Sequence, residues 1–372
     1  MAAQQHGEWN AVLLGASTLL GKELKTVLAE RKLPLCRLLL VDAEVLNGQL
    51  TDFDGEPVIV QPVGVETFQG MHLAIFASTP SLTREHWRKA QESGCRIIDL
   101  SYCLAEDAQA RLGAPLVERI LERAQAGNGY QSNSGAITVS AHPVAMALAG
   151  ILRLLSRQST VLRAAATVFE PASERGNPGV EELHRQTLGL LSFQEIPKTV
   201  FDAQVSFNLL PRNGEDSRPA LQEVQERIGN HLRRLLGGSG VQPALRLLQA
   251  PVFHGYSFTC WVELAQPLEP SAMEGALGQE PFSVCRAGEQ QPNPVSAASS
   301  DDILLGAIER DSVNEAGYWI WGAFDNLRIA ALNAERIAEE MMGLSSVAGA
   351  AQSGGDPVHL SVQPTVAPPV GS

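Results

Sequence analysis

The apolar residues of the first third of the chain predict short buried strands that alternate with helices. The run Ala11–Leu14 stops at Gly15, and after a short polar turn Leu20, Leu24 and Leu28 recur on one helical face. A strand, a tight turn and a helix in this order is how a Rossmann mononucleotide-binding unit begins. Further strands are predicted at Leu35–Val41, Val58–Pro62, Leu73–Phe76 and Cys95–Leu100, with a crossover helix at His86–Ser93. Such alternation predicts a parallel sheet covered on both faces.

The turn after the first strand is a candidate phosphate site, because a helix N-terminus presents backbone N–H groups to an anion. The dinucleotide fingerprint needs three glycines, but only Gly15 and Gly21 are present, and Thr18 stands at the middle position. Asp42, at the end of the second strand, is a candidate partner for a ribose 2′-hydroxyl and would repel the 2′-phosphate of NADP. Two interpretations stay open: a cofactor turn with Gly15, Ser17, Thr18, Gly21 and Asp42 as contacts, or a turn that binds nothing.

The pattern changes after residue 138, where we place the boundary of the first domain (1–138). A long apolar helix is predicted at Pro143–Leu155, and longer strands and helices then follow up to residue 324. The predicted strands are Val161–Glu170, Val205–Leu210, Leu245–Val252, Phe258–Leu264, Ile303–Ile308 and Tyr318–Phe324, with helices at Gly179–Leu190 and Ala220–Leu235. Residues 139–324 are therefore predicted to form an α+β domain with a large mixed sheet. Residues 325–345 form a last helix that Asp325 caps, and 346–372 have the composition of a disordered tail.

Composition narrows the classes of partner. The chain of 372 residues carries a formal net charge of −13 and has no basic patch, which argues against nucleic acid. The start of the chain lacks the basic and apolar regions of a leader, and no stretch approaches 18 uninterrupted apolar residues, so we expect neither export nor a membrane span. Five scattered cysteines without C-x-x-C spacing indicate reduced thiols and a cytoplasmic protein.

Several local strings resemble the aspartate-β-semialdehyde dehydrogenase family over about residues 9 to 345. They are G-A-S-T-L-L-G-K-E-L from Gly15, I-I-D-L-S from Ile97, G-V-E-E-L-H-R-Q-T from Gly179, F-N-L-L-P from Phe207, P-V-F-H-G-Y-S from Pro251 and D-N-L-R-I-A-A-L-N-A from Asp325. The resemblance implies an α/β fold: an N-terminal Rossmann-type NAD(P)-binding domain and a dimerisation domain with a large mixed sheet. It also implies that the last helix packs back on the Rossmann domain, that the protein is a homodimer, and that the family serves amino-acid biosynthesis.

The resemblance also implies a covalent thioester mechanism with NADPH. This chemistry needs a thiolate nucleophile, an acid/base histidine, a glutamine, and arginines that bind carboxylate and phosphate. The matching positions carry other residues: Pro143 for the nucleophile, Glu170 for the glutamine, Tyr256 for the histidine, Gln249 for the carboxylate-binding arginine and Ala105 for the phosphate-binding arginine. The family's substrate-binding lysine falls near Gln222. None of these chemical groups is kept, so we predict a catalytically incomplete member.

Replacement chemistry has few candidates. Cys103, on a loop near the expected phosphate position, and Cys260, on a predicted strand, are the thiols considered, and a structural role is the competing interpretation for both. His142 and His254 flank the lost nucleophile and acid/base positions, and with Glu170 and Tyr256 they form an alternative acid/base or metal-compatible set. Tyr256 as a bulky filler of the pocket is the simpler interpretation, and we predict no metal site.

The leading hypothesis is a homodimeric pseudoenzyme that acts in binding or assembly, with hetero-assembly with an active relative as a further option. NAD or NADP binding is suggested by the fold but weakened by Thr18. One alternative is an NAD(P)-dependent oxidoreductase that transfers hydride directly to a different substrate, for which Asp42 would suit NAD. Another is the orthodox dehydrogenase activity through a different cysteine.

Overall fold

The computed structural model describes residues 9–43, 50–53, 55–122, 136–237, 240–286 and 288–344. The first part contains strands β1 (Trp9–Leu14), β2 (Leu35–Asp42), β3 (Leu50–Phe53), β4 (Glu56–Ile59), β5 (Gln61–Pro62), β6 (Leu73–Phe76), β7 (Arg96–Asp99), β8 (Ala110–Gly113) and β9 (Ile137–Ser140), and helices α1 (Leu19–Glu30), α2 (Pro80–Glu92) and α3 (Pro115–Glu122). Seven of these strands form one parallel sheet in the order β5-β2-β1-β6-β7-β9-β8, and β3 and β4 form a separate antiparallel hairpin.

The parallel sheet is buried on both faces, as the continuous apolar runs predict. All four residues of β6 are buried, and so are the last four of β1. A parallel sheet needs cover on both sides because its crossover helices pack there. The Rossmann-type first domain is thereby confirmed.

The second part is built around a mixed sheet. Its elements are α4 (Pro143–Ser156), β10 (Val161–Glu170), α5 (Gly176–Leu191), α6 (Leu221–Leu236), β11 (Ala244–Gln249), β12 (Tyr256–Leu264), α7 (Pro270–Leu277), β13 (Phe282–Val284), β14 (Ile303–Leu305), β15 (Glu309–Arg310), β16 (Gly317–Phe324) and α8 (Asn326–Met342). The sheet has the order β11-β10-β12-β16-β14-β13, with β15 paired to β16. Its neighbours are parallel at β10–β11 and β13–β14 and antiparallel elsewhere. The large mixed sheet is thus confirmed.

Helix α4 is the apolar centre of the molecule. Every residue from Pro143 to Leu155 is buried, which accounts for its lack of a polar face. The helix contacts α3 and α8, and also α6, α7 and β10 of the second part. At the start of α4, His142 contacts Tyr102 of the first part and His231 and Tyr256 of the second, so the chemistry of the first turn lies where the two parts meet.

Helix α8 returns to the first domain, as the family resemblance implies. Asp325 caps it, since its Oδ1 accepts hydrogen bonds from the N–H groups of Leu327 and Arg328 at 3.0 Å each. The helix packs against α1, α3, β7 and β9. Arg328 binds Asp301, Glu23 and Glu30 at 2.6, 3.1 and 2.5 Å, and so ties the start of α8 to α1 and to the loop before β14.

The predicted strand Val205–Leu210 is wrong. The segment is a loop in which only Leu210 makes a bridge, to Gln249. The side-chain oxygen of Gln186 accepts hydrogen bonds from the N–H groups of Val205 and Ser206 at 2.7 and 3.1 Å. In a strand these N–H groups would instead pair with a neighbouring strand. The predicted strand Val58–Pro62 is two short strands, β4 and β5, which pair in different sheets.

Two further expectations concern the ends of the domains. The predicted boundary at residue 138 falls inside β9, which pairs with β7 and β8 in the first sheet. The predicted tail, residues 346–372, lies outside the described residues. Within the described ranges, no helix combines the length and the apolar character needed to cross a bilayer.

Candidate functional site

The turn between β1 and α1 is closed by side chains of the chain itself. Gly15 has φ +93°, and a Cβ there would lie 2.6 Å from the carbonyl oxygen of Ala77, so this glycine is required sterically. Thr18 is the N-cap of α1: its hydroxyl accepts the N–H of Gly21 at 2.9 Å and lies 2.8 Å from the carbonyl oxygens of Gly15 and Ala77. The side chain of Thr18 therefore occupies the space that a glycine would leave open, and its hydrogen bonds hold it there.

The carboxylate of Asp42 accepts a hydrogen bond from a second backbone N–H group of the same turn. Its side chain is only 3% exposed; Oδ2 accepts the N–H of Ser17 at 2.9 Å and Oδ1 accepts the N–H of Ala43 at 2.9 Å. The carboxylate thus occupies the anion position at the turn instead of extending toward a ribose. A pyrophosphate would have to displace it and would meet like charge. In this arrangement the residues of the turn do not fit a dinucleotide pyrophosphate.

Most of the positions that the resemblance assigns to catalysis do lie together, around the start of α4. Pro143 is the first helical residue, where its missing N–H costs no hydrogen bond. Glu170 and Gln249 are register partners at the ends of β10 and β11, and the amide of Gln249 donates to the carbonyl oxygen of Glu170 at 2.9 Å. The ring of Tyr256, at the start of β12, lies 5.8 Å from that of His142. The fold therefore gathers four of the five positions, with different residues in them.

The remaining positions lie in two clefts. Ala105 lines a cleft of about 600 Å³ between the loop after β7 and helix α6. Gln222 lines a separate cleft of about 310 Å³ with the loop of residues 212–215.

Two carboxylates face the start of α4. Glu170 is fully buried and ion-paired with Arg175 at 3.2 Å, and burial, against the attraction of Arg175, raises the pKa of Glu170 from 4.5 to about 7. Glu174 lies 3.5 Å from Nε2 of His142. Burial alone would raise the pKa of Glu174, but His142, Arg227 and Arg175 outweigh it and hold that pKa below its usual value. The site thus contains one carboxyl group that ionises reluctantly and one that stays ionised.

Several buried polar atoms of this region lack a hydrogen-bond partner among the described residues. They are Oε2 of Glu170, Nε of Arg175, Oε1 of Gln249, the hydroxyl of Tyr256 and Nε2 of His231. Buried polar groups normally find partners, so this concentration sets the region apart from the apolar core around it. Burial also raises the pKa of Tyr256 well above 10, so its phenol stays protonated.

Tyr102 connects these groups with the cleft of about 600 Å³, which it lines together with His231. The ring of Tyr102 stacks on His142 at 5.6 Å and contacts His231 edge-on at 5.7 Å. The guanidinium of Arg227 lies over the Tyr102 ring, 4.8 Å from its centre. Tyr102 adopts φ +63°, a left-handed conformation that is uncommon for a residue other than glycine. Such backbone strain persists where surrounding contacts hold the side chain in one place.

The alternative nucleophiles and ligands do not gain support from their surroundings. Burial raises the pKa of the Cys103 thiol, and raises that of the fully buried Cys260 to about 12, whereas a reactive cysteine needs a lowered pKa. His254 is exposed, whereas His142 is buried. Among the described residues, no group of three histidine, cysteine or acidic side chains is arranged to hold a metal ion.

Five of the residues that shape the site were not singled out from the sequence: Tyr102, Glu174, Arg175, Arg227 and His231. His231 shares the buried face of α6 with Ile228, Leu232 and Leu235, so its spacing alone indicates a buried position. No sequence signal indicates that α6 packs beside α4. That neighbourhood is decided by the tertiary fold.

Comparison with known proteins assigns both halves of the chain. A family model described as the NAD-binding domain of semialdehyde dehydrogenase matches residues 10–123, and one described as the dimerisation domain of semialdehyde dehydrogenase matches residues 157–329. A USG-1 protein homolog of Azotobacter vinelandii is 31% identical, over 88% of this chain and 96% of its own. An aspartate-semialdehyde dehydrogenase of Aquifex aeolicus is 25% identical, over 89% and 97%.

Solved structures agree. A probable aspartate-semialdehyde dehydrogenase from Pseudomonas aeruginosa superposes with a TM-score of 0.79 at 28% identity and covers 90% of this chain and 99% of its own. An aspartate-semialdehyde dehydrogenase from Candida albicans with NADP has a TM-score of 0.61 at 13% identity, over 91% and 100% of the two chains. At that identity the likeness concerns the fold alone.

Proposed function

Because this chain belongs to the aspartate-semialdehyde dehydrogenase family, we propose that it is a non-catalytic member that uses the dehydrogenase scaffold for binding or assembly. The observation that carries the proposal is Pro143. The residue at the nucleophile position starts α4 and has no nucleophilic atom, and Tyr256 beside it is a phenol that stays protonated. Covalent catalysis needs both an activated nucleophile and a proton acceptor within reach.

The neighbouring positions support the same conclusion. Gln249 and Ala105 replace the two arginines that the resemblance assigns to carboxylate and phosphate, and neither side chain carries charge. Glu170 places a carboxyl group where a neutral amide is expected, and it is paired inside the protein with Arg175. A negatively charged acyl phosphate would therefore find no cation at the two arginine positions and would meet a carboxyl group at the glutamine position.

The nucleotide turn supports a role without NAD or NADP, despite the NAD-binding fold. Asp42 and Thr18 accept hydrogen bonds from two backbone N–H groups of the turn. A bound phosphate would otherwise accept these hydrogen bonds. We extend the proposal to this site: neither dinucleotide binds at concentrations at which active relatives are saturated. The hydride-transfer alternative requires the opposite.

We also propose that the protein is a homodimer joined through the second sheet. One face of this sheet packs on α4 and α6, while the other carries half-exposed or exposed aromatic side chains, with Trp261 and Trp319 directly paired on β12 and β16. Trp319 is 44% exposed and Leu162, on β10, is 52% exposed. Apolar surface of this kind on a dimerisation-type domain favours a second copy as its cover. Five free cysteines favour a reducing compartment, the cytoplasm.

The test is a direct assay of the family reaction. Purified protein is mixed with aspartate semialdehyde, inorganic phosphate and NADP, and NADPH formation is followed, with the Aquifex aeolicus relative as the positive control. We expect no turnover. In parallel, thermal unfolding is measured with NAD and NADP, and we expect no rise in Tm, since a ligand that binds only the native state must stabilise it.

Two different results would contradict the proposal, and each identifies a different activity. NADPH formation that Cys103→Ser or Cys260→Ser abolishes would establish the orthodox activity through another thiol. A rise in Tm with NAD, joined to phosphate-independent oxidation of an aldehyde or alcohol, would establish direct hydride transfer. Either result overturns the proposal.

A further inference from the structure

The turn between β1 and α1 is held against the end of β2 by its own backbone N–H groups. Those of Gly15 and Ala16 both donate to the carbonyl oxygen of Val41, at 2.9 and 3.3 Å. The next N–H group, that of Ser17, donates at 2.9 Å to the carboxylate of Asp42. Three consecutive N–H groups thus point at the last two residues of β2, and the third of them meets a negatively charged side chain.

The Asp42 carboxylate lies where this turn attracts an anion. Ser17 directly precedes Thr18, the N-cap of α1, so the carboxylate that it binds is near the positive end of the helix dipole. Asp42 is only 3% exposed, and its second oxygen accepts the N–H of Ala43 at 2.9 Å. A buried carboxylate is stable only where hydrogen bonds or opposite charge compensate for the loss of water. The turn supplies this compensation to Asp42, as it would to a bound phosphate.

The backbone beside this carboxylate keeps most features of a phosphate-binding turn. Gly15 and Gly21 are both present, and a Cβ at Gly21 would lie 2.0 Å from the carbonyl oxygen of Gly15, so the start of α1 packs tightly on the turn. The hydroxyl oxygen of Ser17 is buried and has no hydrogen-bond partner among the described residues. The departure is Thr18, which stands where a middle glycine would let a pyrophosphate approach the backbone.

We propose that Asp42 is an internal anion of this turn: its carboxylate takes the place of a phosphate group and, together with the Thr18 side chain, closes a dinucleotide site whose backbone is otherwise complete. The inference rests on the proposed absence of dinucleotide binding and names the two residues that cause it. It gives Asp42 a role opposite to that of an acidic residue that binds a ribose hydroxyl. A ribose-binding carboxylate strengthens dinucleotide binding, whereas an internal anion competes with it.

The two roles predict opposite effects of removing the carboxylate. Thr18→Gly restores the middle glycine, and Thr18→Gly/Asp42→Ser removes the internal anion as well. Binding of NAD and of NADP to the full chain of each variant is measured by calorimetry and by thermal unfolding. We expect the double variant to bind at least one of them about tenfold or more tighter than Thr18→Gly does, with a rise in Tm of at least about 3 °C at saturation.

The matched control is Thr18→Gly/Asp52→Ser. Asp52 is an exposed aspartate on β3 of the same domain, so this variant has the same new glycine and the same net charge but keeps Asp42. We expect it to bind NAD and NADP no better than Thr18→Gly does. A gain confined to the Asp42 variant therefore comes from the turn and not from the net charge of the domain.

A second measurement needs no change at Thr18. In Asp42→Ser the N–H of Ser17 loses its carboxylate acceptor, so an external anion gains a donor there. Thermal unfolding is followed with inorganic phosphate, at an ionic strength held constant with chloride. We expect phosphate to raise the Tm of Asp42→Ser by at least about 2 °C more than that of the native chain or of Asp52→Ser.

The inference is overturned if Thr18→Gly binds NAD more tightly than the double variant, because Asp42 would then serve a ribose. It is also overturned if the folded double variant binds neither dinucleotide. Should that variant not fold, the phosphate measurement decides, and an equal change of Tm in Asp42→Ser and in the native chain overturns the inference. These results leave the proposed function standing, since it is tested on the native chain. A rise in Tm of the native chain with NAD or NADP would instead contradict the proposed absence of cofactor binding.

Discussion

Glu170 shows how a single buried residue makes stability depend on pH. Its pKa in the folded protein is about 7, above the ordinary value of 4.5, because burial disfavours the charged form more than Arg175 favours it. A carboxyl group with a raised pKa contributes stability below its unfolded pKa and loses it as pH rises through the folded pKa. Between about pH 4.5 and 7 the carboxyl group ionises in the unfolded chain but stays protonated in the folded protein. The free energy of unfolding therefore falls by roughly 3 kcal/mol over this range.

We expect Glu170→Gln to flatten this dependence. Urea unfolding at pH 5, 6, 7 and 8 should show that the free energy of unfolding falls less with pH in the variant than in the native protein. Glu335, whose pKa is also raised to about 7, keeps part of the slope. Glu215→Gln, on an exposed loop, is the control and leaves the slope unchanged. Equal slopes for Glu170→Gln and the native chain would contradict the expectation.

Thr18 stabilises the fold through hydrogen bonds between its side chain and backbone groups. Its hydroxyl caps α1 and meets the carbonyl oxygens of Gly15 and Ala77. Thr18→Ala is expected to lower the free energy of unfolding by about 1–2 kcal/mol, the usual cost of losing an N-cap. Thr18→Ser keeps the hydroxyl and should cost clearly less. A similar loss in both, measured by urea unfolding, would mean that the methyl group and not the hydroxyl matters.

At the scale of elements, the return of α8 to α1 depends on an ion cluster. Arg328 is 8% exposed and binds one carboxylate on the loop before β14 and two on α1. Arg328→Met keeps the length of the side chain but leaves three carboxylates without their shared partner. We expect it to lower the free energy of unfolding by about 2–3 kcal/mol.

The matched control lies on the same helix. Arg336 is 38% exposed and pairs with Glu335 and Glu339, so Arg336→Met should cost less than about 1 kcal/mol. The comparison isolates the link between the elements from the general effect of removing an arginine of α8. If both variants unfold at the same urea concentration, the cluster does not hold α8 to the first domain.

At the scale of the whole molecule, the proposed homodimer forms through the open face of the second sheet. We expect the native protein to sediment at about twice its chain mass of 39.9 kDa. Trp319→Glu places charge in the centre of the exposed face and should yield a folded monomer, since a buried unpaired carboxylate opposes association. Val65→Glu, at an equally apolar but 92% exposed position of the first domain, should remain a dimer. A monomeric native protein, or a dimeric Trp319→Glu, would contradict this interface.

Much of the architecture was readable from the sequence because it depends on local pattern. The strand and amphipathic helix at residues 9–30, the buried parallel strands, and the cap of α8 by Asp325 all follow from periodicity and from short-range hydrogen bonds. The proline at the position that the resemblance assigns to the nucleophile, Pro143, is likewise a property of the sequence at one position.

Other features depend on residues far apart in the chain, and only the tertiary structure decided them. The sequence alone misassigned Val205–Leu210 as a strand, because nothing local reveals that Gln186 takes its N–H groups. Asp42 lies at the end of β2 as predicted, but its carboxylate turns to Ser17, a choice made by packing and by a free donor 25 residues away. The pairing of His231 with the backbone of His142 spans 89 residues. Local pattern fixes which elements form, whereas the partners of buried polar groups are set by which elements meet.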